Sequence, residues 1–226
     1  MIAVEISAAA RSSYGGWSLG LLEVEALLPR ADGRVLDAEV ALVEEGLKSR
    51  YGNLSRKEIA RTEPPIAYEG YFSRSGKAYP VLLQAEGVAS KGRRIAMSDP
   101  LIRAMFAAEL EGMLLTAGHD LGALDPPLSL DLASGSEPMP TLGGSEKLPP
   151  HGDLVMRDGR GIVASVLLGP DARTSIAPAT ARLLFVIYAP AAIAREPILS
   201  QLGRLAGLTS LACPGARAGV PEIVRL

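Results

Sequence analysis

Pro126-Pro-Leu-Ser-Leu-Asp-Leu132 is the stretch on which the fold turns. Paired prolines do not sit inside a helix, and the leucines after them alternate with polar residues, the two-residue period of a strand. Beyond this point the pattern stays β-like: Leu154 and Met156 alternate, and residues 161–168 and 183–189 are apolar runs bounded by Gly, Pro and Asp. Before it the chain reads as helical. Leu36, Val40, Val43 and Leu47 recur at helical spacing, with Gly52 past the end. Ser55-Arg-Lys-Glu58 is a capping box, in which two side chains satisfy two orphan backbone donors, and Pro64-Pro65 stops that short helix. Further helices are expected near 66–75 and 80–90. Ser98-Asp-Pro100 opens another, with Ser98 as its cap, running to about Thr116 and ended by Gly118. Strands are expected at the start (Ile2, Val4, Ile6, then Leu22 to Leu28) and at the end (Ile223-Val224), the latter after a helix over 191–206. Strands at both ends with helices clustered between them predict an α+β domain with mixed or antiparallel sheets, not a doubly wound sheet.

A chain of 226 residues is near the upper end of what one core supports, and no linker long enough to separate domains is present, so residues 1–226 read as one domain. With 48% apolar and 21% charged residues, neither disorder nor a fibrous repeat is indicated. The longest apolar run, Leu183 to Ala194, contains Pro190 and falls short of the ~20 residues that cross a bilayer. Glu5 and the lack of an early basic segment argue against a signal peptide, so the expectation is a cytoplasmic protein without a membrane partner. Cys213 is the one cysteine, which excludes an intrachain disulfide. The net charge of −2 gives no overall pull on nucleic acid, yet it alternates as −5, +6, −7 and +4 over residues 1–47, 48–103, 104–158 and 159–226. Either the basic segments meet in a phosphate-binding face, or they pair with the acidic ones.

Gly16-Trp-Ser-Leu-Gly20 matches the nucleophile elbow of α/β-hydrolases, but that motif needs sheet and oxyanion loop built upstream and a late histidine. Only 15 residues precede Gly16, and His151 is the last histidine, so a Gly-rich turn into a strand is the better expectation. His119 and His151 lack ligand spacing, and no metal site or cofactor is expected. His119 lies in Thr116-Ala-Gly-His-Asp120, where the preceding helix is expected to end and an imidazole can titrate near neutrality. The run Ala133 to Gly144 sets Glu137 and Thr141 beside glycines whose backbone can approach a ligand, or else is a sheet corner. Gly169-Pro-Asp-Ala-Arg-Thr174 places Arg173 and Thr174 on a turn, either as an anion clamp or as solvated residues.

Taken together, Ser98-Asp-Pro-Leu101, Gly118-His-Asp-Leu121, Ala133 to Glu137, Leu142-Gly-Gly144, Arg173-Thr174 and Leu183 to Ile187 resemble, in order and spacing, the B3/4 domain. That is the editing domain of the bacterial phenylalanyl-tRNA synthetase β subunit, also found in stand-alone proteins, and the family-like core here spans about 66–193. The resemblance implies binding of tRNA or an aminoacyl-tRNA-like ligand, not DNA, and hydrolysis of mischarged aminoacyl-tRNA in trans. On it, His119 and Glu137 are the catalytic candidates and Thr141, Gly143, Gly144, Arg173, Thr174 and Tyr188 are ligand-binding candidates; Glu137, Gly143, Gly144, Arg173 and Thr174 are expected to share one cleft. Lys91, Arg93 and Arg94 are the RNA-binding candidates. Two departures stand out: His119 is offset by one or two positions from the synthetase histidine, and Tyr188 stands where the synthetases have a glutamate. The alternatives are an enzyme acting on a small amino-acid-like metabolite without RNA, and a protein-interaction domain with a vestigial pocket. The sequence does not fix the oligomeric state.

Overall fold

A computed structural model describes residues 2–226. The chain opens on β1 (Val4–Ile6) and a short helix, α1 (Ala8–Tyr14), whose cap Ser7 accepts from the Ala10 amide. This helix has no sequence signal of its own: Ala8-Ala-Ala-Arg-Ser-Ser lacks an apolar period. β2 (Ser18–Glu25) stops short of Leu28 because Ala26 takes a left-handed φ of 57°. α2 (Arg34–Tyr51) buries Leu36, Val40, Val43 and Leu47, the face read from spacing, and α3 (Arg56–Ile59) carries the expected capping box. α4 (Pro65–Ser73) and α5 (Pro80–Lys91) follow, each with proline in its first turn.

α6 (Pro100–Gly112) departs from expectation at both ends. Its cap is Asp99, not Ser98, with the carboxylate accepting from Leu101 and Ile102 amides. It ends at Gly112 because Met113 adopts a left-handed φ of 57°, and residues expected to finish the helix form β3 (Thr116–Asp120) instead. Gly118 is thus a strand residue; a Cβ there would meet Ile176 and Met105 at 2.9 Å, so glycine lets α6 pack close. The β-rich half supplies β4 (Leu128–Leu132), the small pair β5 (Met139–Pro140) and β6 (Glu146–Lys147), β7 (Leu154–Asp158), β8 (Gly161–Ser165), β9 (Gly169–Pro170) and β10 (Arg182–Ala189). α7 (Arg195–Ala212) starts later and runs further than the expected 191–206, and β11 (Arg217–Ala218) and β12 (Glu222–Arg225) close the chain.

The protein is an α+β domain with one mixed sheet, one large antiparallel sheet and the small antiparallel β5–β6 pair. The first sheet has the order β1-β4-β7-β8-β9, with β1 parallel to β4 and the rest antiparallel. In the second, β10 lies between β2 and β3, and β11 and β12 both pair with β2. α2 to α6 run consecutively between β2 and β3. The second sheet is covered on both sides, which is why β10 reads as an unbroken apolar run. On one side Gly20 lies against Ile198 and Leu202 of α7. On the other, Leu184, Val186 and Tyr188 share one core with Leu128, Leu130, Leu154 and Met156 of the first sheet. The outer face of the first sheet holds a smaller cluster, Ala133, Met139, Val155 and Ile162, under the β5–β6 pair. No helix among the described residues is long and apolar enough to cross a membrane.

Candidate functional site

Because residues 116–120 form a strand, His119 is not at a helix end but across from Leu184, on the face that meets the first sheet. The turn after β9 comes to it: the Asp120 amide donates to the Thr174 carbonyl at 2.7 Å, and Asp171 bridges to Thr141 through the backbone. Thr174 donates to one Asp171 carboxylate oxygen through both its amide, at 2.9 Å, and its hydroxyl. The same hydroxyl lies 2.8 Å from His119 Nδ1. A threonine hydroxyl has one proton, and a carboxylate can only accept, so Thr174 must accept from His119. The imidazole is therefore held as the Nδ1–H tautomer. Its Nε2 lone pair is buried without a partner among the described residues. Asp171, Thr174 and His119 are all 0% exposed. Burial lowers the imidazole pKa to about 4, against Asp158, which raises it, and with Arg173, which lowers it further. His119 is thus neutral near pH 7.

Arg173 is engaged inside the fold. It donates to both oxygens of Asp158 at 2.9 Å and to the Ala123 carbonyl at 2.8 Å, and its Nε is 3.6 Å from Asp171. Burial alone would raise the Asp158 pKa, but the amides of Asp125 and Arg160 together with Arg173 hold it below the usual value. Glu137 lies elsewhere, paired with Arg157, which also approaches Asp131 at 3.7 Å. Arg157 and Asp158 are successive residues of β7 and point to opposite faces, Arg157 on the side of Val155 and Asp158 on the side of Met156. Glu137 and Arg173 are thereby anchored on opposite sides of the first sheet. Gly143 and Gly144 sit in the exposed turn between β5 and β6, where Gly144 takes a φ of 77°. The structure thus joins His119, Thr141, Arg173 and Thr174 around Asp171, a residue that sequence reasoning misses, and leaves Glu137 apart.

Tyr188 is buried in β10, and its hydroxyl has no partner among the described residues. Burial, with nearby Asp153, raises its pKa well above the usual value. Of the three basic candidates, Lys91 pairs with Glu86 at 3.2 Å and Arg94 with Glu44 at 2.6 Å; Glu44 is itself buried and accepts the Ile95 amide at 2.7 Å. Arg93 packs against Gly87 and has no ion pair among the described residues. His151 takes no part in this cluster: it is exposed and within 3.2 Å of the Ser134 carbonyl. Gly16, at a φ of 92°, turns the chain into β2, and Ser18 is the first residue of that strand with no helix after it, so the nucleophile-elbow geometry is absent.

The open space lies elsewhere on the surface. A cleft of about 300 Å³ beside Tyr14, His151 and Asp153 shares Tyr71 and Arg74 with a shallower hollow of about 620 Å³ over Trp17 and Pro190. That hollow in turn shares Ala191 with a cleft of about 320 Å³ lined by Ser18, Arg195 and Arg225. Tyr14, Trp17 and Tyr71 pack together with ring centroids 5.1 to 5.5 Å apart. Behind them Asp153 accepts from the hydroxyls of Tyr71 and Ser165, and burial raises its pKa despite those bonds. Nothing in the sequence signals this groove, because its walls come from α1, α4, the turn at Pro150, the β10–α7 connection and β12. A separate open hollow of about 560 Å³ between α6 and α7 is lined by Arg204 and Glu111, which pair with each other at 2.6 Å.

Fold and site together define an α+β domain with a buried Asp-Thr-His relay between its sheets and an arginine-rimmed groove at the surface. No protein-family model matches the chain. No curated protein matches it. Among solved structures it is similar to an N-terminal fragment of the phenylalanyl-tRNA synthetase beta-subunit from Pyrococcus horikoshii, with 11% identity and a TM-score of 0.48. The match covers 96% of this chain and 52% of that one, so the chain spans about half the fragment's length. At that distance the likeness says nothing of activity.

Proposed function

We infer that the protein binds tRNA or an aminoacyl-tRNA-like ligand, residues 1–226 acting as one B3/4-like domain in the cytoplasm, and that any editing hydrolysis in trans is slow. One observation carries this: of the segments that bear the family resemblance, two share one place in the fold, and the residue just ahead of a third reaches it. Gly118-His-Asp-Leu121, Thr141 ahead of the Gly-Gly turn, and Arg173-Thr174 meet around Asp171 through the contacts of His119, Asp120 and Thr141.

The chemistry favours binding over turnover. Ester hydrolysis needs a base that can reach a water molecule. His119 Nε2 is sealed in the core, Glu137 is held by Arg157, and Tyr188 is a buried phenol whose raised pKa removes it as a base near neutrality. Phosphate contacts come from the basic segment 48–103, in which Arg93 is exposed and unpaired among the described residues. The test is a mobility shift with charged and uncharged tRNA, run beside deacylation of a panel of mischarged tRNAs. A salt-sensitive complex with deacylation little above the spontaneous rate is expected. Absence of any complex at low salt overturns the binding assignment, and fast deacylation overturns the claim of slow hydrolysis.

A further inference from the structure

We propose that the groove running from Arg74, over Trp17 and Ala191, to Arg195 and Arg225 is a track for a single-stranded RNA segment. The proposal rests on the RNA-binding function above and adds, to the contacts of segment 48–103, a surface for a single-stranded part of the RNA. The three clefts adjoin in a row, the first two sharing Tyr71 and Arg74 and the last two sharing Ala191. All three arginines are exposed, and none has an ion-pair or hydrogen-bond partner among the described residues, whereas Arg94, Arg173, Arg182 and Arg204 are each paired with acids. The one carboxylate lining any of the three clefts is Asp153, already committed to Tyr71 and Ser165. Unneutralised cations along a groove without free acids attract a polyanion.

Two further features fit the same occupant. α7 begins in the groove at Ala194-Arg195 with no side chain capping it, so the amides of Arg195 and Glu196 face the groove end, where the Glu196 carboxylate offsets part of their charge and Pro197 has no amide to offer. The floor between the arginines is apolar, made by exposed Ala191 and Ala192 over buried Trp17 and Pro190, with Arg74 lying 5.9 Å over the Tyr71 ring. Cations that follow a backbone are one component of a single-strand site, and the exposed alanine floor gives unpaired bases an apolar surface to pack on. A duplex would present no bases to such a floor, and a sulfated polysaccharide would have no use for it.

The experiment compares wild type with Arg74→Gln/Arg195→Gln/Arg225→Gln, by fluorescence anisotropy, on a short labelled single-stranded RNA and on whole tRNA. The three side chains are exposed, so the variant keeps its fold, which thermal melting checks. Three phosphate contacts on a single strand correspond to a slope of about −2 in log K against log salt, so a fourfold rise in salt weakens wild type about twentyfold. The variant is expected to bind the short RNA at least tenfold more weakly at low salt and to lose most of that dependence. If wild type binds tRNA and the variant does so with the same affinity and slope, the groove is the wrong surface and the RNA function stands. If wild type binds neither RNA, both fail. Tighter binding of a heparin oligosaccharide of matched charge than of the RNA also overturns the proposal.

Discussion

Replacing Thr174 with valine removes the hydroxyl that joins Asp171 to His119 while keeping the side chain's shape. In the native fold this hydroxyl donates to a buried carboxylate and accepts from the His119 Nδ1–H at 2.8 Å, all three residues being 0% exposed. A hydrogen bond to a charged group contributes about 1.5–3 kcal/mol, and a buried polar group left without its partner costs about 1–3 kcal/mol more. Thr174→Val should therefore cost about 3–5 kcal/mol, a fall of roughly 10 °C in Tm for a domain of this size. Thr174→Ser, which keeps the hydroxyl and loses one methyl, should cost about 1 kcal/mol. Urea unfolding of the two variants gives the difference directly, and nitrogen-15 shifts of the His119 ring in wild type should report the Nδ1–H tautomer. A valine variant within about 1 kcal/mol of the serine variant, or an Nε2–H tautomer, would refute the relay as described.

Three other outcomes are expected. Burial raises the Glu109 pKa to about 8, only partly offset by the Thr116 amide that donates to it at 2.8 Å. The folded carboxyl then keeps a proton that the unfolded chain releases near 4.5, so its contribution is full below that pH and is lost as pH climbs towards 8. Glu109→Gln should remove a pH-dependent loss of about 3–4 kcal/mol between about pH 5 and pH 8, read as the difference between variant and wild-type denaturant titrations; two parallel curves sink the assignment. His119 acts in the opposite sense, its lowered pKa costing stability as pH falls from 6.5 towards about 4. Tyr188→Phe should raise stability by about 1 kcal/mol, because it deletes a buried hydroxyl without a partner; a comparable loss in melts would mean that the hydroxyl is satisfied. Arg93→Gln should reduce the tRNA salt slope by about one, a cleaner test than reversing Arg94, whose loss would strand the buried Glu44; an unchanged slope places the phosphates elsewhere.

The elements with strong periodicity are legible from residues alone. α2 shows its buried face, α3 its capping box, and β10 its unbroken apolar run, because burial on one or two sides writes directly into spacing. β3 is not legible. Thr116-Ala-Gly-His-Asp120 looks like a helix end, and only the left-handed Met113 and the space reserved for α6 over Gly118 make it a strand. That difference moves His119 from a surface turn to the core. The expected cleft also divides, since alternation along β7 sends Arg157 and Asp158, and with them Glu137 and Arg173, to opposite faces. Asp171 escapes notice because a carboxylate in a Gly-Pro-Asp turn looks like turn chemistry until Thr174 and His119 are seen to depend on it.

The central claim, the reading proposed above, is that this protein binds tRNA or an aminoacyl-tRNA-like ligand without rapidly cleaving it. The most direct measurement is the melting shift of wild type with a non-hydrolysable aminoacyl-adenosine analogue, set beside the free amino acid and followed by deacylation of tyrosyl-tRNA charged on the phenylalanine acceptor. The account predicts a concentration-dependent rise in Tm with the analogue, none with the amino acid, and deacylation near the spontaneous rate. A shift with the amino acid alone, or deacylation as fast as an editing synthetase achieves, would contradict it.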